Sequence, residues 1–474
     1  MNLRSLVAMS VPLTLLVGAA RADDFQLVLR SIAEQPPGAG KLVRQTERQN
    51  WKAQETAVIV CDTWDLHHCL NAVRRLEEFA PRLNDVLIDA RRRGATIIHS
   101  PSDCMPAYAD HPARKRAQSA PVAAELPKDI AHWCSRIPAE EEAIYPIDQS
   151  DGGEDDDPAE HADWVAELKA MGRNPGTPWK TQSELIAIDA ERDFISDRGD
   201  EVWNILRERG VKHVILAGVH TNMCVLGRPF GLRQMVRNGI QVALLRDMTD
   251  SMYNPQRWPY VDHFTGNDLV IAHVERFVCP TITSDQIIAG QTFRSKYDRR
   301  EKTDLLQVGV APRVDRATLQ NRWSLVELPG KWERWTKGAY TDYQGTAWYR
   351  CAVRVPGDWG ANGLKLLMRH DDAESVRAWC NGVAVSLATE ESGGSFGLIP
   401  ETALVQNDAN LLVIRVEHQP GVQGWKHPPE LAGKDSTLTL KGRWHLRLGD
   451  DPAWSNIPLP ARFGAPPDIL FEPR

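Results

Sequence analysis

The sequence predicts two domains: a three-layer α/β/α unit built on a parallel sheet, then an all-β sandwich. Between about residues 55 and 290, β-branched apolar runs alternate with amphipathic stretches of helical spacing, the pattern of strands covered on both faces. Past about residue 312 helical spacing stops, short strand-like runs and turn signals take over, and nine of the sixteen Trp appear. A chain of 474 residues is also too long for one ordinary core.

Residues 1–22 differ from the rest. Arg4, an apolar run from Leu6 to Ala20 and the small-x-small Ala20-Arg21-Ala22 have the layout of a secretory signal cleaved after Ala22. The expectation is a periplasmic or extracellular protein with no membrane segment after cleavage. Residues 23–54 form an arm in which Asp24 to Arg30 is a candidate extra strand for the sandwich. The α/β unit, 55–290, opens with the strand Ala57 to Asp62, the helix Ala72 to Arg93 closed by Gly94, and the strand Ala95 to His99. Further strands are expected at Glu184 to Ile188, Val211 to Ala217 and Gln241 to Leu245. Helices are expected at Asp200 to Arg209 and Leu226 to Asn238. Inside the insertion 105–183, the acidic run Gly152 to Asp163 lacks calcium-loop spacing and reads as a solvated loop rather than a metal site. A charged linker is placed at 291–312, and the sandwich spans 313–474. Its strands include Thr346 to Cys351, Leu364 to Met368, Val376 to Cys380, Leu411 to Val416 and Leu438 to Leu448, with a hairpin turn at Asn381-Gly382.

A net charge of -7 with mixed signs offers no basic face for nucleic acid. Eight cysteines in an exported chain raise the question of disulfides, and Cys351 with Cys380 is the expected pair, both lying in the sandwich. No CxxC is present to suggest a zinc ribbon, and neither metal nor cofactor is expected.

The chemistry concentrates at Gly218-Val219-His220-Thr221-Asn222-Met223-Cys224. A buried strand ends, a turn follows, and Cys224 stands where the next helix begins. The helix dipole there lowers a thiol pKa, and the carboxyl ends of parallel strands are where α/β sheets bind ligands. A buried structural cysteine is the plainer alternative. Asp62 closes the first core strand at the same rim, where it serves as base toward a thiol or as a helix N-cap. Trp64 and His68 follow it and suit stacking and hydrogen bonding to a small polar substrate, or ordinary capping. Arg228, Arg233 and Arg246 are candidates for binding a substrate carboxylate, or for pairing with Asp247 and Asp250.

Together, Val60-Cys61-Asp62-Thr63-Trp64-Asp65, the Gly218–Cys224 turn and Val242 to Asp247 with Asp250-Ser251 resemble the isochorismatase-like cysteine hydrolases over residues 55–290. The resemblance implies Cys224 as nucleophile, Asp62 as catalytic acid and base, and a cis peptide at Val219–His220. The N–H groups of His220 and Cys224 would form the oxyanion hole, with Asn222 and Arg228 also in the site. It implies cleavage of a C–N or related bond of a small molecule, and assembly into homo-oligomers. The chain departs from the family in two places. Ile186 to Phe194 carries no lysine where the triad has one, leaving Lys180, or Arg192 acting only electrostatically. His99-Ser100-Pro101-Ser102-Asp103-Cys104 lacks the metal-binding Asp-x-His of nicotinamidases.

Gly345 to Arg350, Trp379 to Gly382 and Asn410 to Val416 resemble the galactose-binding-like jelly roll that accompanies glycoside hydrolases. That resemblance allows carbohydrate stacking on Trp, although such Trp also serve as sandwich core. The alternative to an enzyme is a scaffold that lost its lysine and binds glycan through the sandwich.

Overall fold

The computed structural model describes residues 24–34, 42–141, 143, 145–259, 261–298, 323–331, 343–356, 359, 363–369, 373–389, 394–406, 408–418, 424–434, 436–456 and 470–471. The expected signal segment and the linker beyond residue 298 lie outside them. Among the described residues, no helix is long and apolar enough to cross a membrane.

The first domain runs β1 (Phe25–Glu34), β2 (Leu42–Trp51), β3 (Thr56–Cys61), α1 (Leu70–Arg93), β4 (Thr96–Ser100), α2 (Pro112–Gln118) and α3 (Pro158–Ala170). It continues with β5 (Phe194–Ile195), α4 (Gly199–Glu208), β6 (His213–Val219), a π-type turn (Thr221–Val225), α5 (Leu232–Arg237), β7 (Gln241–Asp250), α6 (His263–Phe277) and β8 (Thr281–Ile282). These strands form one sheet in the order β2-β1-β8-β7-β6-β3-β4-β5, parallel from β8 to β5. Alternation along β3 divides the core. Val58 and Val60 meet Leu76, Phe79 and Leu83 of α1, while Ala57, Ile59 and Cys61 join the cluster of Val202 and Ile205 on α4 and Ile271 on α6. α1 stops at Gly94, whose left-handed backbone (φ 100°) returns its N–H to the Ala90 and Arg91 carbonyls.

Four expectations change here. Asp24 to Arg30 joins the sheet of the α/β domain, not the sandwich: β1 pairs antiparallel with β2 over its whole length and touches β8 through Arg30 and Thr281. Glu184 to Ile188 turns instead of extending, with Ile186 N–H bonded to the Ser183 carbonyl, and the strand beside β4 is the two-residue Phe194–Ile195. The helix expected at Leu226–Asn238 is broken, and α5 begins only at Leu232, beyond Pro229. In the acidic run, Asp155 is buried against Arg75, and Asp156 caps α1 by accepting from the N–H groups of Leu70 and Asn71.

The second domain contains β9 (Ser324–Leu328), β10 (Gly330–Lys331), β11 (Gly345–Val355), β12 (Leu364–Met368), β13 (Ala373–Cys380), β14 (Val383–Val385), β15 (Leu387–Thr389) and β16 (Ser395–Ile399). β17 (Asp408–His418), β18 (Gly424–Trp425), β19 (Glu430–Ala432), β20 (Thr437–Thr439), β21 (Gly442–Leu448) and β22 (Leu470–Phe471) complete it. A seven-stranded sheet (β14-β13-β17-β11-β21-β9, with β22 beside β11) and a five-stranded one (β15-β16-β12-β19-β20) enclose Tyr349, Ile414, Trp444, Leu366 and Leu431. The β13–β14 turn places Asn381 and Gly382 at φ 50° and 80°, as an Asn-Gly hairpin requires.

The expected disulfide is not formed. Cys351 and Cys380 are registered on either side of Leu412 of β17, two strand spacings apart, or ~9.6 Å. A disulfide tolerates Cα atoms no more than about 7 Å apart. The outer face of the larger sheet is not an open aromatic platform either. Trp348, Leu411, Val413 and Trp454 pack against Ile147, Tyr253, Val261, Leu269 and Val270 of the first domain. Among the described residues of the sandwich, no Trp is exposed.

Candidate active site

Two backbone features bring β3 and β6 together at the carboxyl rim. Gly218 (φ 108°) lies so close to β3 that a Cβ there would meet the Cys61 carbonyl oxygen at 2.0 Å. Asp62 takes a left-handed backbone (φ 47°) while its N–H bonds to the Ser100 carbonyl, which ends β3 and aims the carboxylate at the turn after β6. That turn begins with a cis peptide between Val219 and His220. The N–H groups of Met223 and Val225 both return to the His220 carbonyl, so the turn is tightly wound around it.

Cys224 and Asp62, 162 positions apart in sequence, meet there: the thiol and the carboxyl lie close enough that each shifts the other's titration. Asp62 is fully buried. Its Oδ1 accepts from Ser102 N–H at 2.7 Å and its Oδ2 from Arg228 Nε at 3.2 Å. The Arg228 guanidinium also acts on the Cys224 thiol, opposing its rise, and lies 3.6 Å from Asp103. Burial raises the Asp62 pKa, against the pull of Arg228 and the Ser102 N–H. Burial raises the Cys224 thiol as well, then the charge of Asp62 does, with Arg228 opposing. The expected lowering of this thiol therefore gives way to a raised one. Cys224 is 9% exposed and its thiol faces a carboxylate, and those effects outweigh the dipole of a short, broken helix.

The cation at this pair is Arg228, not Lys180. Lys180 is exposed, and its main-chain N–H is what the fold engages, donating to Asp65 Oδ1. Arg192 is likewise committed to Asp189. Both ends of the Asn222 amide are held by the main chain of Met252, at 2.8 and 2.9 Å. Trp64 is buried and stacked on Trp179, with ring centroids 4.4 Å apart, and its indole N–H goes to the Ser102 carbonyl. Of the two adjacent histidines, His67 rather than His68 reaches the turn, 4.8 Å from the His220 ring. Its Nδ1 accepts from Cys69 N–H, which leaves the proton on Nε2. Burial keeps His67 and His220 neutral, with His220 brought down to about 3. Asp62, His67 and His220 border a void of about 10 Å³.

Residues 105–183 supply walls that periodicity did not reveal. Trp133 packs on Gly227, where any Cβ would strike its ring at 2.3 Å, and the Arg228 guanidinium lies 5.8 Å from the indole centroid. Arg233 is consumed by Glu140, which His273 also binds. Among the described residues two groups have metal-ligand proximity, Cys69/Asp155/Asp156 and Glu154/Asp156/His161. Their acids already have work: Asp155 pairs with Arg75 and His263, Asp156 caps α1, and Glu154 meets His161.

These features define an α/β domain with a cysteine–aspartate pair at the carboxyl rim of its sheet. Residues 180–258 match the isochorismatase domain family. Among solved structures, a cysteine hydrolase from Pseudomonas syringae pv. phaseolicola 1448A is similar at 17% identity over 50% of this chain and 93% of that one, with a TM-score of 0.30. The N-carbamoylsarcosine amidase from Thermoplasma acidophilum is similar at 14% over 49% and 97%, TM-score 0.27. A Ruminococcus gnavus β-glucuronidase is similar at 15% over 26% of this chain and 23% of that chain, TM-score 0.18. No curated protein matches the chain.

Proposed function

We propose that the protein is an exported cysteine hydrolase that cleaves a C–N bond of a small polar amide through a Cys224 thioester. The observation that supports this is the buried Asp62 carboxylate beside the Cys224 thiol, with Arg228 acting on both. Asp62 takes the thiol proton as sulfur attacks the carbonyl carbon, and the carbonyl electron pair moves to oxygen. The N–H groups of His220 and Cys224 are the proposed donors to that oxyanion. The C–N bond then breaks as Asp62 returns its proton to the leaving nitrogen. Water, deprotonated by Asp62, opens the thioester and restores the thiol. Arg228 cannot give up a proton, so its part is to hold Asp62 ionised until the substrate arrives.

The test is ammonia release from a panel of small primary amides and carbamoyl compounds, with intact-mass detection of the acyl-enzyme. Cys224→Ala and Asp62→Asn should each abolish turnover, and only the former should also abolish the adduct site. Ammonia release that survives Cys224→Ala refutes the proposal.

A further inference from the structure

We propose that a second cavity, on the same rim but past β7, β8 and β1, binds an organic carboxylate with an apolar body. The cavity holds about 390 Å³, within the size of small-molecule sites, and neither Cys224, Asp62 nor Arg228 lines it. Its charged wall is Arg246 with Arg30, and its apolar wall is Phe79, Phe264 and Phe293.

Arg246 is half-buried, yet among the described residues it makes no ion pair, and its one hydrogen bond goes from Nη1 to Thr281 Oγ1 at 3.1 Å. The nearby acid, Glu275, is already engaged by Arg30 Nε at 2.6 Å and by the Thr281 hydroxyl at 2.5 Å. Three of the aspartates that border the cavity are also committed. Asp247 accepts from Ser284 N–H, Ser284 Oγ and Phe293 N–H; Asp250 binds Arg75 and His263; Asp298 binds Arg294. Asp268 of α6 completes the acidic residues of the lining. A guanidinium carries five donors in a fork that matches a carboxylate, and most of those on Arg246 are unspent. Burial brings Arg246 down to about 10, with Arg30 and Arg44 adding to the effect and Glu275 and Asp247 opposing it. Three phenyl rings beside that fork favour an anion that also carries an apolar surface over a bare one.

Benzoate is the probe, titrated calorimetrically into the full chain against its neutral isostere benzamide and against inorganic phosphate. Benzoate should bind at least tenfold more tightly than either. Arg246→Gln should weaken benzoate at least tenfold while leaving the ligand-free melting temperature unchanged or higher, and Cys224→Ala should leave benzoate affinity unchanged. If Arg246→Gln does not fold, Arg246→Lys makes the same comparison with a partial loss expected. The proposal is overturned by no benzoate binding, by equal affinity for benzamide or phosphate, or by unchanged affinity in the Arg246 variant. Loss of binding in Cys224→Ala also overturns it, by moving the ligand to the catalytic pair.

Discussion

Replacing Arg228 by Gln isolates the one cation at the catalytic pair. Its Nε lies 3.2 Å from Asp62 Oδ2, with Asp62 fully buried and Arg228 22% exposed. At an effective dielectric of about 20, that separation corresponds to ~5 kcal/mol of attraction. Breaking buried pairs costs about 3–5 kcal/mol, because the remaining charge is stranded. Taking ~3 kcal/mol, and 1.36 kcal/mol per pH unit, the acid limb of kcat/KM should move up by about two pH units. The direction follows from the site: burial already raises Asp62 and Arg228 restrains it, so without Arg228 the carboxyl stays protonated further into the neutral range. Stability should follow the same proton. A carboxyl raised in the folded state gives stability that is complete below its unfolded pKa and lost as pH rises through the folded one. Arg228→Gln should therefore melt near wild type at pH 4 and fall progressively behind it toward pH 8. Arg228→Lys should recover part of both effects. The assays are ammonia release and thermal melting from pH 4 to 9. If the Gln variant's activity falls while its pH profile stays in place, Arg228 binds substrate and does not tune Asp62.

Three further outcomes are expected. Iodoacetamide should label Cys224 slowly at pH 7 and faster as pH rises, since the thiol is raised, and Asp62→Asn should speed labelling by removing a nearby negative charge; fast labelling at pH 7 contradicts the raised thiol. His263 is opposed by burial and Arg75, but Asp250 and Asp155 raise it to about 9, so this network should contribute ~3 kcal/mol that is complete below about pH 6.5 and lost as pH rises through 9. Chemical denaturation of His263→Gln should show that slope flattened. Gly218→Ala combines a positive φ with a Cβ 2.0 Å from the Cys61 oxygen, and should cost about 3 kcal/mol or more in denaturant titration.

The parallel sheet was legible because buried strands announce themselves. Thr56–Cys61, Thr96–Ser100 and His213–Val219 fall within two residues of their β-branched runs. Asp62 and Cys224 were legible because each follows such a run at its carboxyl end. What escaped has physical causes. Asp24 to Arg30 alternates apolar and polar residues as any edge strand does, so the pattern fits either sheet equally. Ile186 and Ile188 are apolar because the core takes their side chains, not because their backbone extends. Lys180 was favoured by its place along the chain, whereas the cation reaching Asp62 stands four residues after Cys224, where one helical turn returns it to the sulfur's side. Trp133 and Trp179 sit in an insertion with no periodicity, and only the folded chain brings them to the rim.

Arginine in this position changes the proton inventory of the site as well as its size. A lysine among buried groups can lose its proton, so a Cys–Asp–Lys set exchanges protons among three members. Here Arg228 stays charged and His67 and His220 are held neutral by burial. Cys224 and Asp62 are both raised by burial; the charge of Asp62 raises the thiol further, while the thiol lowers Asp62, so the two titrate as a coupled pair. With the proton on sulfur, Asp62 is the base in the proposed mechanism. The pH–rate profile of kcat/KM should then be a broad plateau whose two limbs both belong to the pair. A narrow bell near pH 7 in the wild type would require a third titrating group, and neither Arg228 nor the two buried imidazoles supplies one.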